Sequence, residues 1–205
     1  MSREPKLASI YFYLTVVGAY LIGSVSSAIL ICQIFGLGDP RLEGSKNPGT
    51  TNVLRLGGRG PAILTLVSDV AKGALPVGIG ISLNFSGIEL GWIALAAFLG
   101  HLYPIFFKFA GGKGVATAIG ALLIMNPVLA VTLVIVWIGV AVSTGYSSLS
   151  ALIAAFLAPT AAYYLAEPSW PICLIMSAFL FWRHRQNIQN LMNGTESKIS
   201  LSKKT

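Results

Sequence analysis

Three polar stretches interrupt an otherwise apolar chain, and the first contains residue types that suit an anion. Residues 44–52 read GSKNPGTTN and are followed by Arg55 and by Gly57-Gly58. Close-set glycines expose backbone N–H groups that can form a concave anion site, and the arginine fork matches phosphate oxygens. The same composition also suits a turn-rich loop whose Asn and Ser side chains satisfy nearby backbone groups. Both interpretations of this stretch stay open at this point.

The second stretch places a histidine before a glycine-rich segment that opens an apolar helix. His101 precedes Pro104, and residues 111–117 read GGKGVAT. Glycines at a helix start let an anion approach bare N–H groups, the helix dipole favours negative charge there, and Lys113 adds a full positive charge. A Walker A loop is excluded, because Gly114 stands where that motif needs a magnesium-binding Ser or Thr. The alternative explanation is close helix packing, for which membrane helices also use glycine.

The third stretch follows the last apolar segment and mixes basic and amide side chains. Arg183 and Arg185 can be explained as anchors in anionic lipid headgroups. His184 and Asn187 are three residues apart and would share one helix face, which suits a hydrogen-bonded pair pointed at a ligand. The third stretch is therefore also a candidate for contact with a ligand.

Several other kinds of catalytic site are disfavoured by the sequence. Neither His101 nor His184 is followed by an aspartate five residues on, so the His-x4-Asp arrangement of acyl-CoA-dependent acyltransferases is absent. No group of His, Cys or carboxylate residues has metal-ligand spacing, and there is no Gly-x-Ser-x-Gly elbow. A metalloenzyme or a serine hydrolase is not expected.

Membrane-spanning helices must position these stretches. Of the 205 residues, 55% are hydrophobic and 10% charged, whereas soluble domains carry roughly 25% charged residues. Apolar segments near the length needed to cross hydrocarbon recur along the chain. The predicted spans are Ile10–Phe35, Gly60–Leu83, Ile88–Phe109, Gly114–Met125, Pro127–Ser143, Ser147–Ala166 and Pro168–Arg183. The fourth and fifth are separated because Asn126-Pro127 should break the helix.

Charge favours seven crossings over six. With seven, the basic residues of all three polar stretches fall on one side, and only Arg3 and Lys6 face the other. With six, Arg183 and Arg185 would violate the tendency of basic residues to stay in the cytoplasm. We therefore expect an all-α, polytopic integral membrane protein of about seven transmembrane helices, with its N-terminus outside and its C-terminus cytoplasmic. Topology also explains the net charge of +7 better than nucleic-acid binding does.

A few polar and sulfur-containing side chains lie inside the predicted spans. Asp69 and Lys72 are three residues apart and are expected to pair, with a structural role favoured over tuning of a site. Cys32 and Cys173 sit in apolar segments and are expected to pack there rather than form a disulfide.

Taken together, the polar stretches closely resemble those of bacterial glycerol-3-phosphate acyltransferases that use acyl phosphate. The matching segments are residues 44–58, 100–117 and 183–198, in one membrane domain of residues 1–205. They carry GSxNxGxTNxxR, GHxxP with GGKGVAT, and HRxNI with GxE. Lys46, Thr50 and Asn190 depart from the common pattern, which bears on affinity but removes no central residue.

The resemblance implies transfer of a fatty acyl group from acyl phosphate to the sn-1 hydroxyl of sn-glycerol 3-phosphate. The products would be lysophosphatidic acid and inorganic phosphate, in the first step of phospholipid synthesis. It places the protein in the bacterial cytoplasmic (inner) membrane with the active site facing the cytoplasm. No cofactor or metal is implied. The partners are the two substrates and the lipid bilayer, the soluble enzyme that forms acyl phosphate is a candidate, and no nucleic acid is expected.

The residues of this sequence that match the family pattern fall into two groups. The catalytic group is Lys113, His184, Asn187, Ser45 and Arg55. The group expected to bind substrate or phosphate is Asn47, Gly49, Thr51, Asn52, His101, Gly111, Gly112, Gly114 and Ser148. The general base is left open between a phosphate oxygen of the donor, His101 and His184.

Two other classes of protein would also use basic motifs at a membrane face. A transporter of phosphate or lipid phosphate predicts movement of substrate across a sealed membrane without covalent change. A scaffold for lipid enzymes predicts neither turnover nor tight phosphate binding. The enzyme is favoured mainly by the family resemblance.

Overall fold

The computed structural model describes residues 4–199, with side chains from residue 9 onward, and this part of the chain is all-α. Its helices are α1 (Glu4–Gly23), α2 (Ser27–Ile34), α3 (Thr50–Gly57), α4 (Arg59–Ser82), α5 (Ile88–Leu102), α6 (Val115–Met125), α7 (Pro127–Thr144), α8 (Ser147–Tyr164), α9 (Trp170–Arg183) and α10 (Arg185–Met192). Arg3 and the side chain of Lys6, on which the predicted orientation partly rests, lie outside the described residues.

Five segments of the described chain are long and apolar enough to cross a membrane. They are Ser9–Ile34, Arg59–Ser82, Ile88–Phe107, Pro127–Thr144 and Ser147–Tyr164. The apolar helices α6 and α9 are shorter. At 11 residues and a rise of about 1.5 Å per residue, α6 measures about 16 Å, roughly half the thickness of the hydrocarbon.

The predicted first span is wrong in one respect, because the helix is interrupted between Gly23 and Ser27. A side chain at Gly23 would collide with the backbone of Ala97 in α5, so α1 approaches α5 closely just before the interruption. The interruption also frees the carbonyl of Val25, which accepts a hydrogen bond of 2.9 Å from Lys72 Nζ of α4. Contacts from two other helices therefore determine where this span divides.

The predicted break at Asn126-Pro127 is confirmed. Asn126 ends α6 and caps α7, since its Oδ1 accepts a 3.0 Å hydrogen bond from the Leu129 N–H. Pro127 is the first residue of α7, where its missing N–H costs nothing. By contrast, helix α3, at the end of the first polar stretch and just after it, was not predicted.

Close backbone contacts assemble the bundle. Helix α1 packs on α5, α4 on α6, α7 on α8, and α8 on α9. A Cβ atom at Gly73 would collide with the Thr117 carbonyl, and one at Gly120 would collide with the Val70 carbonyl. Glycine thus allows α4 and α6 to touch along two turns, as is common in membrane helices.

A buried ionic layer connects helices α4 and α5. Asp69 and Lys72 form the expected pair, with 2.8 Å between Oδ1 and Nζ. His101 Nδ1 of α5 lies 3.6 Å from the same Asp69 oxygen. Because these side chains share one polar layer in an apolar bundle, their separation would leave charge unpaired at high cost. Cys32 and Cys173 are buried and unbridged, as expected.

The α4–α6 contact yields a test of stability. Gly120→Ala should lower the free energy of unfolding by about 1–3 kcal/mol, because the added methyl group meets the backbone of α4. Gly139→Ala is the matched control, since an added Cβ in α7 has nothing within 4 Å. Thermal unfolding of both variants in detergent measures the difference. Equal transition temperatures for the two variants would contradict this account of the contact.

Candidate functional site

Polar residues from all three stretches converge at one end of the bundle. Lys113 Nζ donates a hydrogen bond of 2.5 Å to Asn187 Oδ1. The Asn187 amide in turn donates to Glu196 Oε1 at 2.7 Å, and the Ser148 hydroxyl donates to the same oxygen at 2.7 Å. One connected network therefore joins the start of α6, the start of α8, helix α10 and the segment that follows it.

The first stretch joins this network through two contacts. The Thr51 and Ser147 hydroxyl oxygens lie 3.2 Å apart, which connects α3 to α8. A Cβ atom on Gly112 would lie 2.8 Å from the carbonyl oxygen of Pro48. The loop before α3 and the loop before α6 are thus in direct backbone contact, and only glycine fits at position 112.

Four helices begin at this site. Helix α3 starts at Thr50, α6 at Val115, α8 at Ser147 and α10 at Arg185. A helix N-terminus carries roughly half a positive charge. Among the described residues, the starts of α3, α6 and α8 also present unpaired N–H groups, whereas α10 follows directly on α9, whose last carbonyls accept from the N–H groups there. The site is therefore electropositive before any charged side chain is counted.

The start of α6 has a row of unused donors. In the described part of the chain, the five backbone N–H groups of residues 113–117 donate to no protein acceptor. Gly114 adopts a left-handed conformation with φ of 86°, so the chain turns sharply into the helix. Free amides beside a lysine ammonium at a helix start are the features of a phosphate site.

Lys113 titrates near physiological pH. Burial lowers the pKa of the ammonium to about 8, Glu196 opposes this shift, and Arg183 and Arg55 add to it. The side chain is therefore mainly charged at pH 7 and loses its charge in mildly alkaline solution.

His184 is held as a neutral ring with a defined tautomer. It is buried between α9 and α10, and Nδ1 lies 2.8 Å from the Leu180 carbonyl oxygen. Because a carbonyl only accepts, Nδ1 must carry the proton, and Nε2 is left as an acceptor. Burial, followed by the charge of Lys113, lowers the pKa of His184 to about 4. The expected hydrogen bond between His184 and Asn187 is not formed among the described contacts.

Asn52 is buried, and its side chain holds the loop of the first stretch through hydrogen bonds. Its exposed fraction is 1%. Its Oδ1 accepts from the Ser45 N–H at 2.8 Å, and its amide donates to the carbonyls of Pro40 at 2.9 Å and Glu43 at 3.0 Å. Gly44 has φ of 61°, and a Cβ there would meet the Asn52 side chain. Asn52 thus shapes the loop that presents Ser45.

The remaining expected residues surround the network without joining it. In the described structure, the Ser45 hydroxyl and the Asn47 side chain form no hydrogen bond with the other two stretches, and Gly49 is the N-cap of α3. Arg55 is half-exposed and donates to the Ser197 carbonyl at 3.3 Å. His101 is buried beneath the glycine loop, where its carbonyl accepts from the Gly112 N–H at 3.2 Å.

Two residues of the site were missed from sequence. Glu196 belongs to the network but had no assigned role, although it is the only acidic residue between positions 183 and 198. Its place in the GxE part of the matching pattern was the available signal. Arg183 was interpreted as a headgroup anchor, yet it donates to the carbonyls of Gly111 at 2.6 Å and Gly112 at 3.1 Å. The matching pattern HRxNI includes Arg185 but not Arg183, so it gave no signal for Arg183.

An apolar cavity begins beside the glycine loop. It has a volume of about 40 Å³ and lies between α6, α7, α8 and α9. Val115, two residues beyond Lys113, lines one end, and Leu133 and Cys173 are also in the wall. Much of the wall on the α8 side is alanine, so the neighbouring helices leave space between them.

Comparisons with known proteins agree on one family. The family model described as Glycerol-3-phosphate acyltransferase matches residues 13–194. A glycerol-3-phosphate acyltransferase of Shewanella sp. (strain ANA-3) is 49% identical over 191 residues, covering 93% of this chain and 94% of the relative. One of Burkholderia orbicola (strain MC0-3) is 50% identical over 192 residues, covering 91% of this chain and 92% of the relative.

Solved structures show the same architecture. The glycerol 3-phosphate form of PlsY, an integral membrane glycerol 3-phosphate acyltransferase, superposes with a TM-score of 0.88 at 34% identity. Its lysophosphatidic acid form gives 0.86 at 32% identity. Each comparison covers 93% of this chain and 96% of the other.

The titration of Lys113 can be tested by anion binding. Sulfate is a suitable probe, because its charge does not change between pH 6 and pH 10. We expect its affinity to be constant below about pH 8 and to fall by up to about tenfold per pH unit above it, as Lys113 loses its proton. Calorimetric titration of Lys113→Arg should show affinity that stays level across this range. The same alkaline loss in the arginine variant would assign it to another group.

Proposed function

The chain belongs to the glycerol-3-phosphate acyltransferase family, and we propose that its acyl donor is acyl phosphate and its acceptor group the sn-1 hydroxyl of sn-glycerol 3-phosphate. The hydroxyl oxygen forms the new ester bond with the acyl carbon. The bond between that carbon and the bridging phosphate oxygen breaks, and inorganic phosphate leaves with the electron pair. The other product is lysophosphatidic acid.

The observation that carries this proposal is the row of free amides beside Lys113 at the start of α6. We assign the donor phosphate to this cradle, formed by the glycine loop of Gly111, Gly112, Lys113 and Gly114, whose free N–H groups begin at Lys113. Fixed donors aimed at a departing anion stabilise the charge that develops as it leaves, without reorganisation at the moment of reaction. Acyl phosphate is a mixed anhydride with a good leaving group, so positioning and charge stabilisation suffice for much of the rate.

Residues of the first stretch complete the cradle in this proposal. Ser45, Asn47 and Thr51 lie in or just after the loop whose Pro48 carbonyl abuts Gly112. The hydroxyl and amide donors that are not used by the protein suit the outer oxygens of the phosphate. Asn52 and Gly49 support them by shaping the loop and the start of α3.

We assign glycerol 3-phosphate to Arg55, His184, Asn187 and Ser148. Arg55 is half-exposed and makes one long hydrogen bond of 3.3 Å, so its fork is available to a second phosphate. Asn187 and Ser148 already bind one carboxylate oxygen of Glu196. His184 Nε2 is an acceptor and suits a substrate hydroxyl.

We assign the hydroxyl proton to a phosphate oxygen. The pKa of His184 is lowered to about 4, whereas a phosphate group has a second pKa of about 6 and is the stronger base. His184 then orients the hydroxyl, and the proton leaves with the phosphate. His101 lies beneath the loop and is buried, which favours a supporting role over contact with substrate.

The acyl chain is assigned to the apolar faces of α6 to α9 that begin at this cavity, since the cavity itself, at about 40 Å³, holds only a few methylene groups. The cavity starts at Val115, immediately beyond the proposed phosphate cradle. A carbonyl held at Lys113 would therefore direct its hydrocarbon tail into this space. The alanines of α8 leave room for methylene groups that larger side chains would fill.

Seven crossings with a cytoplasmic site remain our proposal for the topology. The basic residues Arg55, Lys113 and Arg183 lie at the end of the bundle that holds the site, as expected for a cytoplasmic face. The short α6 and α9 complete their crossings through the loops at their ends. The bacterial inner membrane is the membrane in which acyl phosphate and glycerol 3-phosphate would both reach such a site.

Purified protein in detergent tests the reaction directly. Given palmitoyl phosphate and glycerol 3-phosphate without metal or CoA, it should release phosphate only when the acceptor is present, with an equal amount of lysophosphatidic acid. Lys113→Met should lower this rate at least about a hundredfold, on the scale of losing one charge-stabilising donor. Lys108→Met, in the exposed part of the same loop, should retain it. A folded wild-type protein without turnover would favour transport, and a fully active Lys113→Met would remove the cradle assignment.

Chain-length preference tests the cavity assignment. Ala155→Leu adds bulk to the cavity wall and should reduce kcat/KM for palmitoyl phosphate by about tenfold or more relative to decanoyl phosphate. Thr160→Leu adds similar bulk on the exposed face of α8 and should leave the ratio unchanged. The ratio of kcat/KM for the two donors is the measurement. An unchanged ratio in Ala155→Leu, with the protein folded, would place the acyl chain elsewhere.

A further inference from the structure

Arg183 and Arg185 are neighbours in sequence but have different surroundings. Arg183 donates through Nε to the Gly112 carbonyl and through NH2 to the Gly111 carbonyl. Its guanidinium carbon lies 5.6 Å from the centroid of the Tyr103 ring. Arg185 is exposed, stacks on Trp182 and donates to the Trp182 carbonyl at 3.3 Å. Only Arg183 reaches another element of the site.

We propose that Arg183 is a positioning residue that fixes the two peptide groups on either side of Gly112, so that the Lys113 N–H and ammonium face the phosphate. This inference rests on the proposed function, because it explains how the phosphate cradle keeps its shape.

The geometry of the peptide bond links the arginine to the cradle. In a trans peptide the C=O and N–H groups point in opposite directions. The peptide between Gly111 and Gly112 is held at both ends, by Arg183 at its carbonyl and by the His101 carbonyl at its N–H. The next peptide is held by Arg183 at the Gly112 carbonyl only, so the Lys113 N–H points away from the arginine and stays free.

Arginine suits this role better than lysine. Two successive glycines have wide conformational freedom, and a planar fork can hold two neighbouring carbonyls at once, whereas an ammonium is a point donor. The fork is itself held in place. Tyr103, on which it stacks, accepts a hydrogen bond of 2.8 Å from the Tyr20 hydroxyl at its carbonyl, and its ring packs edge-on against Phe179.

Arg183 also contributes positive charge near Lys113. The groups that face Lys113 are the Glu196 carboxylate after α10, Asn187 of α10, Arg55 of α3, Arg183 of α9 and the neutral His184. Removal of the Arg183 charge should therefore raise the pKa of Lys113, and a lysine in its place should not.

The test compares two substitutions at each arginine in the turnover assay. Arg183→Lys and Arg183→Gln should each lower kcat by about ten- to a hundredfold, the cost of slight misplacement of a catalytic group. The KM for glycerol 3-phosphate should change by less than about threefold, since the cradle holds the other substrate. The alkaline limb of kcat/KM should move to higher pH in Arg183→Gln only. Arg185→Lys and Arg185→Gln should behave as wild type.

Several results would overturn the inference. Wild-type kcat in Arg183→Lys would show that the fork is not needed, and an equal loss in the Arg185 variants would indicate headgroup anchoring at both positions. If the Arg183 variants do not fold, Tyr103→Leu removes the stacking surface and keeps the arginine. It should lower kcat by a smaller factor with the same KM, and unchanged kcat there would also contradict the inference. Absence of turnover in the wild type would instead count against the proposed function.

Discussion

The starts of four helices lie together at one end of the bundle, and the geometry of the candidate site depends on this arrangement. Positive ends of helix dipoles repel one another, and their first N–H groups need acceptors that the helices cannot supply. The starts of α3, α6, α8 and α10 are nevertheless held together by the contacts of Thr51 with Ser147, Lys113 with Asn187, and Asn187 and Ser148 with Glu196. An electropositive concavity built from backbone can stabilise anionic groups before a reaction begins. In the proposed function, substrate phosphate adds negative charge to this arrangement.

The layers beneath the site explain why its glycines can be so closely placed. Gly112 lies between the Pro48 carbonyl and the ring of His101, and His101 in turn lies beside the Asp69–Lys72 pair. That pair reaches the interruption between α1 and α2 through the Val25 carbonyl. A continuous path of polar contacts thus runs from the middle of the bundle to the glycine loop. This path connects the glycine loop to the polar layer in the interior of the bundle.

Much of the fold was predictable because membrane-spanning helices are visible in the sequence as long runs of apolar residues. The separation of α6 from α7 followed from Asn126-Pro127 alone. The interruption after Gly23 was not predictable, because it depends on the approach of Ala97 and the reach of Lys72 from other helices. Helix α3 was missed since its stretch is rich in Gly, Asn and Thr, residues that favour loops.

Most residues of the candidate site were predicted, but their roles were predicted less well. Family resemblance identified Lys113, Asn187 and Ser148, which the structure joins in one network. It could not show that the Asn52 side chain forms hydrogen bonds with the backbone of its own loop. The matching pattern HRxNI contains Arg185 and not Arg183, although Arg183, at the end of α9, is the one that contacts the glycine loop. Which of the two meets the glycine loop depends on the rotation of α9.

The Glu196 carboxylate gives the site a counter-ion of its own. Held by Asn187 and Ser148 and close enough to act on Lys113, it offsets part of the positive potential when no substrate is bound. If phosphate binds as proposed, it competes with this carboxylate, which is part of the chain and is always present. Such competition weakens binding of reactant and product alike, and it favours departure of the product over its retention. In the proposed reaction, Glu196 would therefore also limit how tightly the site binds its product.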